Sequence, residues 1–415
     1  MLNIIKDDVF LFFYLGLSIL SPGIFISSSL PIVRPEFILS VFFFLYDFKL
    51  KIDYNSRILI LLIPFVLLTL ANSYLIIGIE FFFKDFMILF QIISYLIVYS
   101  VLSKYLNLSK DKGKTLDFFL FFCTISSIFS FLQVNNTLGV NEWLSILYVD
   151  IEAFDVFEVG IDYTHLDRVI GTVGDSRHFG MLLAFAILAA FSARRESKPL
   201  LLLQLLICFY ALLLTGSRTA IVCAMLVTLL WFIFFPSKKG TRFFLIIFGL
   251  VVVLTGQNYG LIDFEMRVFQ FSDDSYDVSL AARQRDNVEF FSMVFKDPAM
   301  LFFGMGPAKN ILPGSEHSDF GWFLIRFGTI GCLLYVLLIF KGLLKNISLF
   351  FVSDSSNKNV VFACIVSVFI WLIFCFSESI FKNSQLMGYV LFFLSLGSAS
   401  ISSSKELRKA NLFIK

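Results

Sequence analysis

Apolar residues in this chain do not alternate with polar ones. They come in long runs separated by short polar stretches that carry lysine or arginine. A helix of roughly 20 apolar residues crosses the hydrocarbon core of a bilayer. Runs of this kind begin near residues 9, 35, 57, 84, 116, 178, 199, 219, 243, 319, 359 and 383. The pattern predicts an all-α polytopic membrane protein with about 12 transmembrane helices, a single integral membrane domain over residues 1–415. Two runs are short, the second (about 35 to 47) and the sixth, which stops at Arg194.

Composition sharpens this reading. A chain that is 58% hydrophobic and 15% charged, with mean hydropathy +0.86, is too apolar for a water-soluble globule. Its 55 phenylalanines are expected to be buried against lipid and neighbouring helices. All six cysteines lie inside apolar runs without CxxC spacing, so neither a disulfide framework nor a cysteine metal site is expected. Lys6 precedes an apolar stretch that lacks a small-residue cleavage pattern, which reads as a retained first helix.

The net charge of +2 becomes informative once it is sorted by side. Lysine and arginine collect at 49–57, 104–114, 194–198, 238–242, 341–345 and in the tail from Lys405, and these connections alternate with the others. The positive-inside rule makes them cytoplasmic and puts both termini there. Two long connections then face outward, a first outer loop over 135–177 and a second over 257–318. Acidic residues outnumber basic ones eight to two in the first and nine to five in the second. Within the second, Ser279–Phe295 places Val288, Phe291 and Phe295 on one helical face and charges on the other, the pattern of a helix lying in the membrane interface. There is no fixed-period repeat, heptad pattern or low-complexity tract.

Candidate chemistry gathers on the outward side. LLLTGSRTAIV (212–222) is a tight turn in which Gly216 and Ser217 feed a helix N-terminus. Backbone N–H groups and the positive helix end attract anions there, and Arg218 adds a phosphate clamp, the alternative being an arginine snorkelling to the interface. RVIGTVGDSRHFG (168–180) has the same character, with Gly171 and Gly174 between Arg168 and Arg177. Asp175 can pair with Arg177 as a solvated bridge, and His165 and His178 read as interfacial residues. His317 differs because Glu316 and Asp319 flank it, so that a carboxylate can orient the ring. On one continuous helix, positions 317, 321, 324, 328 and 331 share a face, and Gly321, Gly328 and Gly331 would let a helix or a lipid-borne substrate approach the backbone. Arg326, about two turns into the membrane, is functional or paired by default, and the plainer reading is a bridge to Asp319. No HExxH, no cysteine ligand set, no GxxxxGK[ST] and no GxGxxG in a suitable context is present, so no metal, no cofactor and no nucleic-acid partner is expected.

The TGSRTA turn (215–220), the arginine-glycine stretch before the sixth helix, the AARQRDNVEFFSMVFKDPAMLFFGMGP run (281–307) and the His317-Ser318, nine residues, Gly328-x-x-Gly331 spacing together resemble the bacterial O-antigen polymerase and O-antigen ligase superfamily. The resemblance covers about residues 168–331 and the overall topology, and leaves out the first five helices. It implies a GT-C-like membrane glycosyltransferase of the bacterial inner membrane that uses an undecaprenyl-pyrophosphate-linked oligosaccharide, and it would make the two outer loops periplasmic. By the same resemblance, Arg168 and Arg218 would hold the pyrophosphate with help from Arg283 or Arg285, and His317 would activate the acceptor hydroxyl. Asp319, Arg326, Gly328 and Gly331 would support it. A chain-length regulator and a flippase would be its partners. The HSDFGW context and the two arginine-bearing loops favour a polymerase over a ligase. A transporter is the alternative from another class, disfavoured by slight polarity at mid-membrane, where Asn72, Ser73 and the SPG kink at 21–23 are the main candidates, against rich outer loops.

Overall fold

In the computed structural model, residues 2–21, 23, 33–46, 52–77, 83–109, 111–147, 169–193, 198–235, 298–307, 318–352 and 355–413 are described. Among them the regular structure is helical. The helices are α1 (Leu2–Leu20), α2 (Pro35–Tyr46), α3 (Tyr54–Asn72), α4 (Met87–Leu108), α5 (Lys112–Val134), α6 (Val140–Leu147), α7 (Ser176–Ser192), α8 (Lys198–Leu214), α9 (Arg218–Phe234), α10 (Pro298–Phe303), α11 (Asp319–Val352), α12 (Ser355–Cys375) and α13 (Ser384–Phe413). They occupy eleven of the twelve expected apolar runs, and the run near 243 lies outside the described residues.

Length separates these helices into two groups. Six are long and apolar enough to cross a membrane: Tyr54–Leu75, Met87–Leu108, Lys112–Val134, Asp319–Phe351, Asn357–Cys375 and Ser384–Ile401. Pro35–Tyr46, Ser176–Ser192, Pro199–Leu214 and Arg218–Phe234 are apolar but shorter. At 1.5 Å per residue such helices reach only about 18–26 Å, short of a core of about 30 Å. Among the described residues, six helices are thus long enough to cross a membrane on their own.

The short helix α7 has a different task from facing lipid. From Phe179 to Ala190 its side chains are at most 2% exposed, which fits a helix that is apolar on every side. It is enclosed by α5, α8, α9 and α12, while α13 packs most extensively on α4. Polar N-caps begin several of the helices. Asp53 and Ser56 form a reciprocal capping box at α3, and Asp111, Asp175 and Ser217 cap α5, α7 and α9 by accepting backbone N–H groups.

The two ends of the bundle differ in chemistry. At one end Lys114 pairs with Asp8 at 2.9 Å, Asp53 receives the Tyr99 and Ser398 hydroxyls, and Lys341 and Lys345 lie over the Tyr54 ring at 3.7 and 5.5 Å. The opposite end holds the α7 and α9 N-termini, the start of α11 and the α12–α13 connection, and there the candidate residues meet.

Candidate functional site

Ser318 is the first described residue after the histidine singled out in the sequence. Its hydroxyl accepts the Gly321 N–H at 3.1 Å and its carbonyl accepts the Trp322 N–H at 2.9 Å, so it caps α11. Asp319 follows, fully buried. Its Oδ2 receives the Tyr335 hydroxyl and, at 3.5 Å, the Cys375 thiol, and its Oδ1 receives the Phe381 N–H at 2.9 Å. Trp371 donates its indole N–H to the Tyr335 oxygen at 3.0 Å. Phe323 stacks on Tyr335 with centroids 4.2 Å apart, and Phe381 meets both rings edge-on. A carboxylate beneath such a cage is sealed from water, and its hydrogen bonds supply the polar partners that burial demands.

This geometry revises two expectations. No ion pair joins Asp319 to Arg326 among the described residues; the carboxylate's bonds run to Tyr335 of its own helix α11, to Cys375 of α12 and to Phe381 of the α12–α13 connection. The glycines do not line one continuous face, because Gly328, with φ 62° and ψ −167°, breaks α11. Just before that break, Met305 N–H reaches the Ile325 carbonyl at 2.8 Å and Gly306 N–H reaches the Arg326 carbonyl at 2.9 Å. The 304–306 strap thereby satisfies carbonyls that the break would otherwise orphan. A Cβ on Gly328 would fall on the Phe302 carbonyl and 2.6 Å from Phe303 N, and one on Gly304 would lie 2.5 Å from Phe327 N. Two backbones thus cross in contact, and glycine is required on both. Gly331 packs against Phe327 and Phe65, and Arg326 is 5% exposed.

The α12–α13 connection, Phe376–Asn383, is where the other elements converge. Phe381 is held at its N–H by Asp319 and at its carbonyl by the Tyr95 hydroxyl at 2.7 Å and Gln91 Nε2 at 3.2 Å. Gln91 also donates to the Lys382 carbonyl at 2.7 Å. Glu378 pairs with Arg177 at 3.1 Å, and Asn383 Nδ2 lies 3.2 Å from His178 Nδ1. Arg177 reaches back to Asp175 at 3.1 Å, the bridge read from the sequence. Asp175 also accepts the Arg177 and His178 N–H groups at 2.7 and 3.1 Å. Burial opposes its ionisation, but the His178 ring when it carries a second proton, the Arg177 guanidinium and the two N–H groups prevail and hold its carboxyl at about 2.

The stretch before α7 is a buried strap. Gln133 of α5 accepts the Ile170 and Gly171 N–H groups at 3.2 and 2.9 Å and donates to the Gly171 carbonyl at 3.0 Å. Thr172 donates to the Ile19 carbonyl at 2.7 Å. Gly171, at φ 56°, sits against the Phe179 ring, so its role is steric. At the α8–α9 turn Gly216 has φ 62°, Ser217 accepts the Ala220 N–H at 3.4 Å, and Thr215 Oγ1 accepts the Ser217 N–H at 3.2 Å. Part of the donor set expected to meet an anion is therefore already engaged, whereas Arg218 is exposed. A Cβ on Gly180 would lie 2.8 Å from Ala220 and 2.9 Å from Ser217, so the first turns of α7 and α9 touch.

The structure therefore brings together the start of α11, the α12–α13 connection, His178 and the Arg218 turn. His317, Arg168, Arg283, Arg285, His165 and the interfacial helix expected at 279–295 lie outside the described residues. Glu378, Asn383, Tyr335, Gln91 and Gln133 were not singled out from sequence. Asn383 carries the readable signal of an asparagine N-cap ahead of an apolar helix, and Tyr335 that of a hydroxyl inside an apolar run that needs a partner. No protein-family model matches this chain, and no curated protein matches it.

Proposed function

We propose that this protein is a surface-polysaccharide polymerase of the O-antigen type. It joins undecaprenyl-pyrophosphate-linked oligosaccharide repeat units at the outer face of a bacterial inner membrane. The reading rests on the sequence resemblance, and one structural observation supports it above the others. A continuous path of contacts runs from Ser318–Asp319 through Phe381 and Asn383 to His178, Gly180, Ser217 and Arg218. The residue that follows His317 and the exposed arginine turn thus belong to one end of the bundle, opposite the lysine-bearing end. By the positive-inside rule the lysine-bearing end is cytoplasmic and carries both termini. A GT-C-like bundle of about twelve helices is part of the same proposal.

In this reaction His317 takes the proton of the acceptor hydroxyl as its oxygen bonds to the donor's anomeric carbon. The carbon–oxygen bond to the pyrophosphate breaks, and the leaving group departs with the electron pair. Positive charge is needed where that negative charge develops. Arg218 and Arg168 supply it, with Arg283 and Arg285. No cofactor is required. Gly328 and Gly331 serve packing around the break, and Asp319 serves the connection that carries Glu378 and Asn383. A flippase would deliver the substrate, and a chain-length regulator would act on the product.

The test is conversion of purified lipid-linked repeat units to longer chains by purified protein in the presence of a chelator. His317→Ala and Arg218→Ala are expected to abolish elongation while the protein stays in the membrane. Normal chain lengths in a well-expressed His317→Ala strain would refute the mechanism. A ligase is distinguished by deletion of the gene, since its loss strands finished polymer on the carrier lipid, whereas loss of a polymerase leaves single repeat units on the surface lipid. The broken helix α11 and the π-helical turn Ser73–Ile77 after α3 favour a transporter as the second reading. That reading requires movement of the lipid-linked unit across proteoliposomes with no elongation.

A further inference from the structure

His178 was read from the sequence as a bystander, but the hydrogen bonds around it define its chemistry. Asn383 caps α13, its Oδ1 accepting the Gln385 and Leu386 N–H groups at 3.0 and 3.1 Å. That duty fixes the amide orientation, because a flipped amide would present NH2 to two N–H donors. Nδ2 of Asn383 is then the group that faces His178 Nδ1 at 3.2 Å, and it can only donate. Nδ1 must accept, so the ring's proton sits on Nε2. His178 is half-buried, one turn from the Gly180 contact with the Arg218 turn.

The charges touching the same turn indicate what this donor meets. Among the described residues, the Arg177 guanidinium on this turn pairs with two carboxylates, Asp175 and Glu378. A phosphate placed there would compete with two carboxylates for that guanidinium, whereas an uncharged oxygen would not. We infer that His178, held as its Nε2–H tautomer by Asn383, donates a hydrogen bond to a neutral oxygen of the saccharide, a hydroxyl or ring oxygen of the repeat unit. Asn383 is the positioning residue. The inference rests on the glycosyltransferase reading and adds a glycan contact separate from the arginines that hold the pyrophosphate.

The experiment uses the full chain in nanodiscs with 13C,15N-labelled histidine, the His178 signals being assigned by their loss in His178→Gln. Wild type is expected to show His178 in the Nε2–H form. Asn383→Asp keeps an N-cap oxygen but offers the ring an acceptor, and it is expected to move the proton to Nδ1. The probes are the oligosaccharide released by mild acid from carrier lipid of cells lacking this protein, and inorganic pyrophosphate. The oligosaccharide is expected to shift the His178 Nε2 resonance and pyrophosphate to leave it unmoved. In the elongation assay, His178→Ala is expected to raise KM roughly fivefold, the loss of one hydrogen bond, with His178→Gln, which retains a distal N–H, recovering most of it. An Nδ1–H tautomer in wild type, a shift with pyrophosphate alone, or no shift with the oligosaccharide overturns the inference. Wild type that fails to elongate chains overturns the glycosyltransferase reading instead, whichever way the resonance behaves.

Discussion

Substituting Gly328 by alanine tests the break in α11 by the sign of its effect. If α11 continued as a regular helix through residue 328, alanine would improve helix propensity and stabilise the protein by up to about 1 kcal/mol. The observed φ of 62° and ψ of −167° belong to a region that is essentially open to glycine alone, and a side chain there costs on the order of 1–3 kcal/mol. The added Cβ would also fall on the Phe302 carbonyl and 2.6 Å from Phe303 N, a backbone that cannot swing aside like a long side chain. Forced displacement in a packed interior adds roughly 1–3 kcal/mol. Gly328→Ala is therefore expected to lose about 3 kcal/mol or more. Gly342→Ala is the internal control, since it lies on the same helix and its Cβ would meet nothing closer than 3.6 Å. Its expected effect is neutral to stabilising. Unfolding by SDS titration of purified protein in mixed micelles reads both variants on one scale. A Gly328→Ala protein as stable as wild type, or more so, would refute the broken helix and restore the continuous glycine face.

Three further outcomes follow from the site. Tyr335→Phe takes from Asp319 the hydroxyl that its Oδ2 receives, and is expected to cost about 1–3 kcal/mol in the same titration. Gln133→Ala removes three hydrogen bonds to Ile170 and Gly171, so amide exchange measured by mass spectrometry should quicken in the strap at 169–174 while α13 keeps its protection. The carboxyl of Asp175 lies at about 2 in the folded protein against an ordinary 3.8, so its stabilisation is present above about pH 4 and lost as pH falls through 2. Asp175→Asn keeps a capping oxygen, and should destabilise the fold above about pH 4 and change nothing below pH 2. A deficit that persists unchanged at pH 2 would contradict the assigned cause.

Helix positions were legible because each reports locally. Apolar runs announce the bodies, and the Gly216–Ser217 turn announces the start of α9. What escaped was non-local. Gly328 sits in an apolar run like any tolerated helix glycine, and only the crossing of the 304–306 strap forces its backbone out of the helix. The length of α7 was visible, but its complete enclosure depends on which helices surround it. Among candidate site residues, the Arg218 turn and the Asp175–Arg177 bridge were readable within a few residues of sequence. The partners of Asp319 lie 16, 56 and 62 positions away, beyond any local pattern.

That distance bears on how a carboxylate beside a histidine should be read. Asp319 follows His317 by two positions, and proximity in sequence makes it the natural choice to orient the imidazole. Its two oxygens are instead engaged by a phenol, a thiol and a backbone N–H beneath a cage of aromatic rings. Turning either oxygen toward an imidazole would leave a buried donor without a partner, at about 1–3 kcal/mol each. The bonds it does make attach the start of α11 to Phe381, the same residue that Tyr95 and Gln91 hold from α4. Loss of function in an Asp319 variant would then act through Glu378 and Asn383, which the connection presents to Arg177 and His178. The two accounts separate in Tyr335→Phe, which leaves Asp319 in place and removes its phenol partner, together with the acceptor of the Trp371 N–H. If Asp319 served the imidazole directly, this variant would shift the pH profile and leave KM unchanged, whereas an anchoring role predicts a raised KM together with a loosened His178–Asn383 contact.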